Sequence, residues 1–263
     1  MPVYEDIRGR EADIAVYAAL TRRQLKNEGL FICEGIKAID AALKAGIQPV
    51  SLMMERRHAF GKAAELIERL EGIPVFAPPD EVIREITGIE LSRGVLCAMR
   101  RPGLPDVDAV LQSAKNIAVL EGINDDSNMG SLFRNAAGLG IDALILTRDC
   151  ADPYSRKSVR VSMGAVFRIP HAYADPLDAG GLSPVKRAGF ICAALALCRD
   201  SIPLSELSAN KCALLLGSEG DGLKPGTLRE SDVRVIIPMH RGMDSLNVAT
   251  AAAIAFYALQ KQC

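Results

Sequence analysis

The stretch Leu214-Leu215-Leu216-Gly217-Ser218-Glu219-Gly220-Asp221-Gly222-Leu223 runs from an unbroken apolar segment straight into glycines set around carboxylates. An all-apolar run leaves no polar face for water, so it reads as a strand buried on both sides, as in a parallel sheet covered by helices. Glycines placed directly after it let the backbone approach a ligand closely and supply positive φ. Outward from this point the same apolar pattern recurs at residues 117–120, 143–146, 190–197 and 233–237, with a shorter strand expected at 168–171. Helical periodicity lies between them over 130–139, 157–165 and 185–188, and a last helix covers 246–260. This alternation predicts an α/β fold with a mainly parallel sheet. Such sheets place ligands at the loops beyond the strand carboxyl ends.

A smaller α/β unit precedes it. Helices are expected over 14–28, 36–45, 63–70 and 81–86, and strands over 30–33, 49–54, 75–76 and 94–100. Arg101-Pro102-Gly103-Leu104-Pro105-Asp106 then concentrates proline and glycine where the pattern breaks, as an interdomain linker does. The expected domains are therefore 1–105, linker included, and 106–263. A chain of 263 residues is long enough for both.

Composition narrows the chemistry. The seven cysteines, at 33, 97, 150, 192, 198, 212 and 263, lie mostly in apolar runs without CxxC spacing, and His58, His171 and His240 are scattered. The cysteines read as small buried hydrophobes of a reducing compartment, and neither residue type suggests a metal site. The start lacks a basic and apolar leader, and no stretch approaches the roughly 20 apolar residues that span a bilayer, so the expectation is a cytoplasmic protein without a membrane partner. Formal net charge is −1, so any nucleic-acid surface must be local. Candidates are Arg8/Arg10, Arg22-Arg23 with Lys26, Arg56-Arg57, Arg100-Arg101, and Arg156 to Arg160, each of which taken alone also reads as a solvated face.

Three loops carry polar residues in this apolar frame. The first, Glu121 to Gly138, follows a strand and opens a helix; Asn128 reads as its N-cap, with Arg134 about one and a half turns in. Ordinary capping with a surface arginine explains it, and so does an anion site at a helix N-terminus. The second is the glycine loop quoted above. Its superficial dinucleotide-fold match fails, because too little chain remains after it and no acidic residue closes a second strand. The third, Ile236 to Thr250, leads from a strand to a helix that Ser245 or Asp244 could cap; that alanine-rich helix suits either core packing or an interface.

Together these loops resemble the three signature motifs of the SpoU (TrmH-like) RNA 2′-O-ribose methyltransferases of the SPOUT superfamily. Motif one is matched by Asn128-x-Gly130-x-x-x-Arg134-x-Ala136, motif two by Gly217-Ser218-Glu219-Gly220, and motif three by Ile237-Pro238-Met239 with Ser245-Leu246-Asn247-Val248-Ala249. The resemblance covers about 115–260, and Asp126 stands where the family commonly has proline. The N-terminal unit, through Phe31-Ile32-Cys33-Glu34-Gly35, is similar to the L30e-like substrate-binding domain of several members. The resemblance implies a deep trefoil knot, a homodimer, RNA as partner, and S-adenosyl-L-methionine held by Gly217, Ile237 and Leu246. It also implies Arg134 as the central catalytic residue, with Glu219 orienting Arg134 or its loop, Asn128 bracing the motif-one turn, and Ser245 and Asn247 shaping the pocket where chains meet. Ribosomal RNA is expected ahead of transfer RNA. The rival readings are a non-enzymatic RNA-binding or ribosome-assembly factor on the same fold, and a knotted methyltransferase acting on a base nitrogen.

Overall fold

The computed structural model describes residues 3–18, 22–70, 72–88, 90–91 and 93–260. In chain order the elements begin with β1 (Val3–Tyr4), α1 (Glu11–Ala18), α2 (Arg22–Asn27), β2 (Leu30–Glu34), α3 (Ile36–Lys44) and β3 (Pro49–Met54). There follow α4 (Arg56–Ala59), α5 (Ala64–Arg69), β4 (Val75–Phe76), α6 (Asp80–Thr87), β5 (Val95–Arg100), α7 (Val107–Leu111), β6 (Asn116–Leu120) and α8 (Asp126–Gly138). The chain continues with β7 (Ala143–Thr147), α9 (Arg156–Ser162), β8 (His171–Ala174), α10 (Ser183–Arg187), β9 (Ile191–Leu195) and β10 (Ile202–Pro203). It ends with β11 (Cys212–Leu216), α11 (Pro225–Glu230), β12 (Val233–Ile236) and α12 (Val248–Gln260). Of the sequence expectations, Cys263, the middle of the 14–28 helix and the side chains of Arg22 and Arg23 lie outside the described residues.

Two compact units form: Met1–Gly103 with Tyr154–Phe167, and Leu104–Pro153 with Arg168–Cys263. This differs from a single division at 105/106, because the chain returns to the first unit. There a mixed sheet, β1-β4-β3-β5-β2, buries Ile14, Ile32, Met53, Phe76, Ile83, Leu96 and Ala98 in one core. The buried Tyr17 hydroxyl is satisfied by Ser51 at 2.8 Å. The returning segment supplies the rings of Tyr154 and Phe167, 5.3 and 5.8 Å from that of Phe31. It also supplies Arg156 and Arg160, which reach the buried Glu34 carboxylate at 3.1 and 3.5 Å. A buried carboxylate without such partners costs several kcal/mol, which holds the segment here. The helix expected to reach 165 ends at Ser162, because Met163 and Gly164 turn left-handed at φ 54 and 81.

In the second unit the strand order is β10-β12-β9-β11-β6-β7-β8, and every neighbouring pair is parallel. The expected α/β architecture with a mainly parallel sheet is what the chain adopts. One face, through Ile117, Val119, Ile145, Ala213 and Leu215, packs under α7 and α10. Alternation turns Ala118 and Leu120 the other way, the side of α8, which packs on β7 and against α12. The strand expected at 168–171 sits at His171–Ala174, since a 3-10 turn uses Ala165–Phe167 and Pro170 has no N–H to continue a ladder. Two helices were missed, α7 and α11. Asp106 announces the first, its carboxylate accepting the Ala109 N–H at 2.7 Å.

Candidate active site at the strand carboxyl ends

Strands β6 and β11 are neighbours in register, Leu120 beside Leu216, and the Glu121 N–H donates to the Leu216 carbonyl at 2.9 Å. The first two polar loops therefore leave the sheet side by side, where strand order reverses, and the third follows β12. Between the second and third lies a cavity of ≈ 400 Å³. Gly217, Ile237 and Leu246 line it, as do Glu219 and Ser245. Its walls are apolar at Leu195, Ala196, Leu216, Val235 and Ile236, and its charged groups are Glu219, Asp221 and Asp244, with no lysine, arginine or histidine among the described lining residues. Such a site suits a cationic ligand with a flat apolar part. Gly217 is required by contact: a Cβ there would stand 2.1 Å from the Gly222 carbonyl carbon and 2.2 Å from the Leu223 nitrogen. The loop closes on itself through paired Ser218 and Gly222 backbone bonds of 3.2 and 3.1 Å.

Asn128 and Asn247 lie beside the cavity and connect its loops. Asn128 Nδ2 donates to Glu219 Oε1, and Asn247 Nδ2 donates to Asn128 Oδ1 at 3.0 Å. Asn247 Oδ1 in turn accepts the N–H groups of Ala249 and Thr250 at 3.0 and 3.4 Å. Asn247, rather than Ser245 or Asp244, thus caps the last helix. Asn128 is not a cap either. Helix α8 begins at Asp126, and the Asp125 carboxylate accepts from Ser127 and Asn128 at 2.7 and 2.9 Å, which leaves the Asn128 side chain for the site. Asp126 occupies the first helical position, where proline and acidic residues are both favoured.

Arg134 stands on α8 about 9 Å along the axis from Asn128 and a third of a turn round it, exposed. Glu219 engages Asn128, and no hydrogen bond or ion pair joins it to Arg134 among the described residues. The guanidinium projects to solvent, available to an anion. Among the described residues no group of three or more His, Cys, Asp or Glu could hold a metal ion.

Other polar residues of this end were not singled out from sequence. Glu121, 1% exposed, accepts the Lys224 N–H at 2.9 Å and the Thr227 hydroxyl at 2.7 Å, and so caps α11. Its signal is a carboxylate closing a buried strand. Asn135 Nδ2 donates to the Ala249 carbonyl at 2.8 Å and ties α8 to α12. The Thr147 hydroxyl, and next the Lys224 ammonium at 3.3 Å, hold the Asp149 carboxyl below the ordinary carboxylate range.

The family model described as the SpoU rRNA Methylase family matches residues 115–257. The chain is 43% identical over 236 residues to an uncharacterized tRNA/rRNA methyltransferase of Mycobacterium bovis, covering 88% of this chain and 80% of that protein. It is 26% identical over 249 residues to a 23S rRNA guanosine 2′-O-methyltransferase of Bacillus subtilis, covering 91% and 92%. Among solved structures, an AdoMet-bound rRNA methyltransferase from Sinorhizobium meliloti superposes with a TM-score of 0.81 at 25% identity, covering 98% of this chain and 97% of that one.

Proposed function

This chain belongs to the SpoU rRNA methylase family, and from that premise we propose that it is an S-adenosylmethionine-dependent methyltransferase acting on a ribose 2′-hydroxyl of RNA, ribosomal RNA ahead of transfer RNA. The observation that carries the reading is the cavity, which joins Gly217, Ile237 and Leu246 to three carboxylates, with no basic side chain among its described lining residues. The cofactor fits that donor set, since its sulfonium and ammonium are cationic and its adenine offers flat ring faces to the apolar walls. When bound, S-adenosylmethionine supplies an electrophilic methyl group.

The residues of this chain do the positioning. Gly217, Ile237 and Leu246 would hold the cofactor through backbone groups, and Glu219, Asp221 and Asp244 would supply negative charge for its sulfonium and ammonium. Arg134 carries a guanidinium, which keeps its proton and is a poor base but a planar fork for phosphate. It grips the phosphate beside the target ribose and orients the hydroxyl, while water or another group accepts the proton. Glu219, Asn128 and Asn247 brace the loops through their hydrogen-bonded chain. Ser245 and Asn247 shape the pocket where two copies meet in a homodimer. Thr250, Ile254 and Tyr257, exposed at helical spacing on α12, support a helical interface. As the family resemblance implies, the C-terminal segment forms a trefoil knot, a rare exception among folds. The first unit is an L30e-like RNA-binding domain. No helix among the described residues is long and apolar enough to cross a membrane, and we place the enzyme in the cytoplasm.

The test is incubation with methyl-labelled S-adenosylmethionine and, separately, total ribosomal and transfer RNA, followed by nucleoside analysis. A labelled 2′-O-methyl nucleoside is expected, absent with Arg134→Ala and at least about tenfold slower with Arg134→Lys, which keeps the charge but loses the fork. A labelled base would move the reading to a base nitrogen. Neither transfer nor cofactor binding would leave a non-enzymatic RNA-binding protein.

A further inference from the structure

The basic clusters seen in the sequence are used differently by the fold. Arg156 and Arg160 turn to the buried Glu34, and Arg8 and Arg10 pair with Asp6 and Asp13 at 2.5 and 3.1 Å. Arg101 donates to the Leu30 carbonyl at 2.9 Å and lies over the Tyr154 ring. The cluster between β3 and α5 is unlike these. Phe60 is 69% exposed, more than any other large apolar side chain among the described residues. Around it in sequence stand Arg56 and Arg57, with side chains 65% and 73% exposed, and the exposed Lys62. Arg56 and Arg57 have carboxylate neighbours, Glu5 at 3.1 Å and Glu55 at 2.7 Å. Exposed pairs of this kind hold their partners weakly and exchange readily for phosphate.

The loop that carries Phe60 is braced. Gly61 and Ala63 donate their N–H groups to the His58 carbonyl at 3.1 and 3.0 Å, and Glu55 donates to the Gly94 carbonyl at 3.1 Å. The His58 ring lies so close over Gly94 that a Cβ there would stand 2.2 Å from Nε2. A braced loop thus holds a phenyl ring in solvent with three exposed cations within four residues of it in sequence, in a chain whose net charge is −1.

Aromatic faces take unstacked bases and cations take the backbone between them, whereas a paired helix offers no base face to such a ring. We propose that Phe60 is a stacking platform for an unpaired base of the RNA, with Arg56, Arg57 and Lys62 against the flanking phosphates. The proposal rests on the RNA substrate inferred above and assigns where on the first unit a single-stranded part of that RNA is gripped.

The chain contains no tryptophan, so Phe60→Trp installs a lone fluorescent reporter at a solvent-exposed position. Titrated into the full-length variant, total ribosomal RNA is expected to quench this emission, the quenching to fade at high salt, and a fully paired RNA duplex to leave it unchanged. Phe60→Ala is expected to bind ribosomal RNA about tenfold more weakly, the scale of one lost stacked base. Arg57→Ala with Lys62→Ala is expected to flatten the salt dependence. Emission unchanged at RNA concentrations that saturate a gel shift would overturn the proposal, as would wild-type affinity in Phe60→Ala, or no RNA binding at all. Methyl transfer on the same preparations separates the two ideas: transfer with a silent reporter sinks only the platform, and a quenched reporter without transfer sinks only the enzymatic reading.

Discussion

Asn128 gives one end of its amide to each neighbouring loop: Nδ2 to Glu219 and Oδ1 to Asn247. The amide orientation is dictated by its partners, because Glu219 can only accept when ionised. Asn128→Asp keeps the shape but sets a carboxylate against a carboxylate. Losing a charge-assisted bond costs about 1.5–3 kcal/mol of the bracing between the loops, so methyl transfer is expected to fall about 10- to 100-fold and the melting temperature by several degrees. Wild-type turnover would remove this contact from the mechanism. The sequence singled out Asn128, Glu219 and Asn247 but not their joint use, because hydrogen-bond partners 91 and 119 residues apart leave no local trace. Glu219, expected to orient Arg134 or its loop, is found on Asn128 of that loop.

Among the elements, the loop after β11 shows how a local pattern is sharpened by packing. The apolar run into glycine was legible as a buried strand meeting a close turn. That Gly217 faces the backbone of Gly222 and Leu223 was not, since it depends on the hairpin closing. Gly217→Ala forces this hairpin open by its backbone, with no flexible side chain to yield, and overpacking of this kind costs about 1–3 kcal/mol. S-adenosylmethionine affinity measured by calorimetry is expected to drop at least about tenfold; unchanged affinity would show that the loop does not shape the cofactor site. Helix starts were displaced for a physical reason too. Several polar residues in each loop could cap, and tertiary partners selected Asp125 for α8 and Asn247 for α12.

Across the whole molecule, the linker at 101–106 was readable from proline and glycine, and the observed change of unit falls at Gly103/Leu104. The return of Tyr154–Phe167 to the first unit was not readable. A chain cut to 104–263 leaves Arg156 and Arg160 without Glu34, and Tyr154 and Phe167 without Phe31. Trypsin is therefore expected to cleave this truncated chain at Arg156, Lys157 and Arg160 well before it cleaves the full-length protein, as followed by mass spectrometry. Equal protection would mean that the segment folds with the second unit alone.

By itself the sequence determined most strands and the longer helices of the second unit, the parallel α/β class and the order of the three polar loops. Those features follow from hydrophobic period and from glycine and proline, which act within a few residues. Only the tertiary structure decided strand order, the caps, the buried Glu34 and Glu121 partnerships and the meeting of Glu219, Asn128 and Asn247. Each depends on which distant group arrives to satisfy a polar atom removed from water, and that choice is made by the packing of the whole chain.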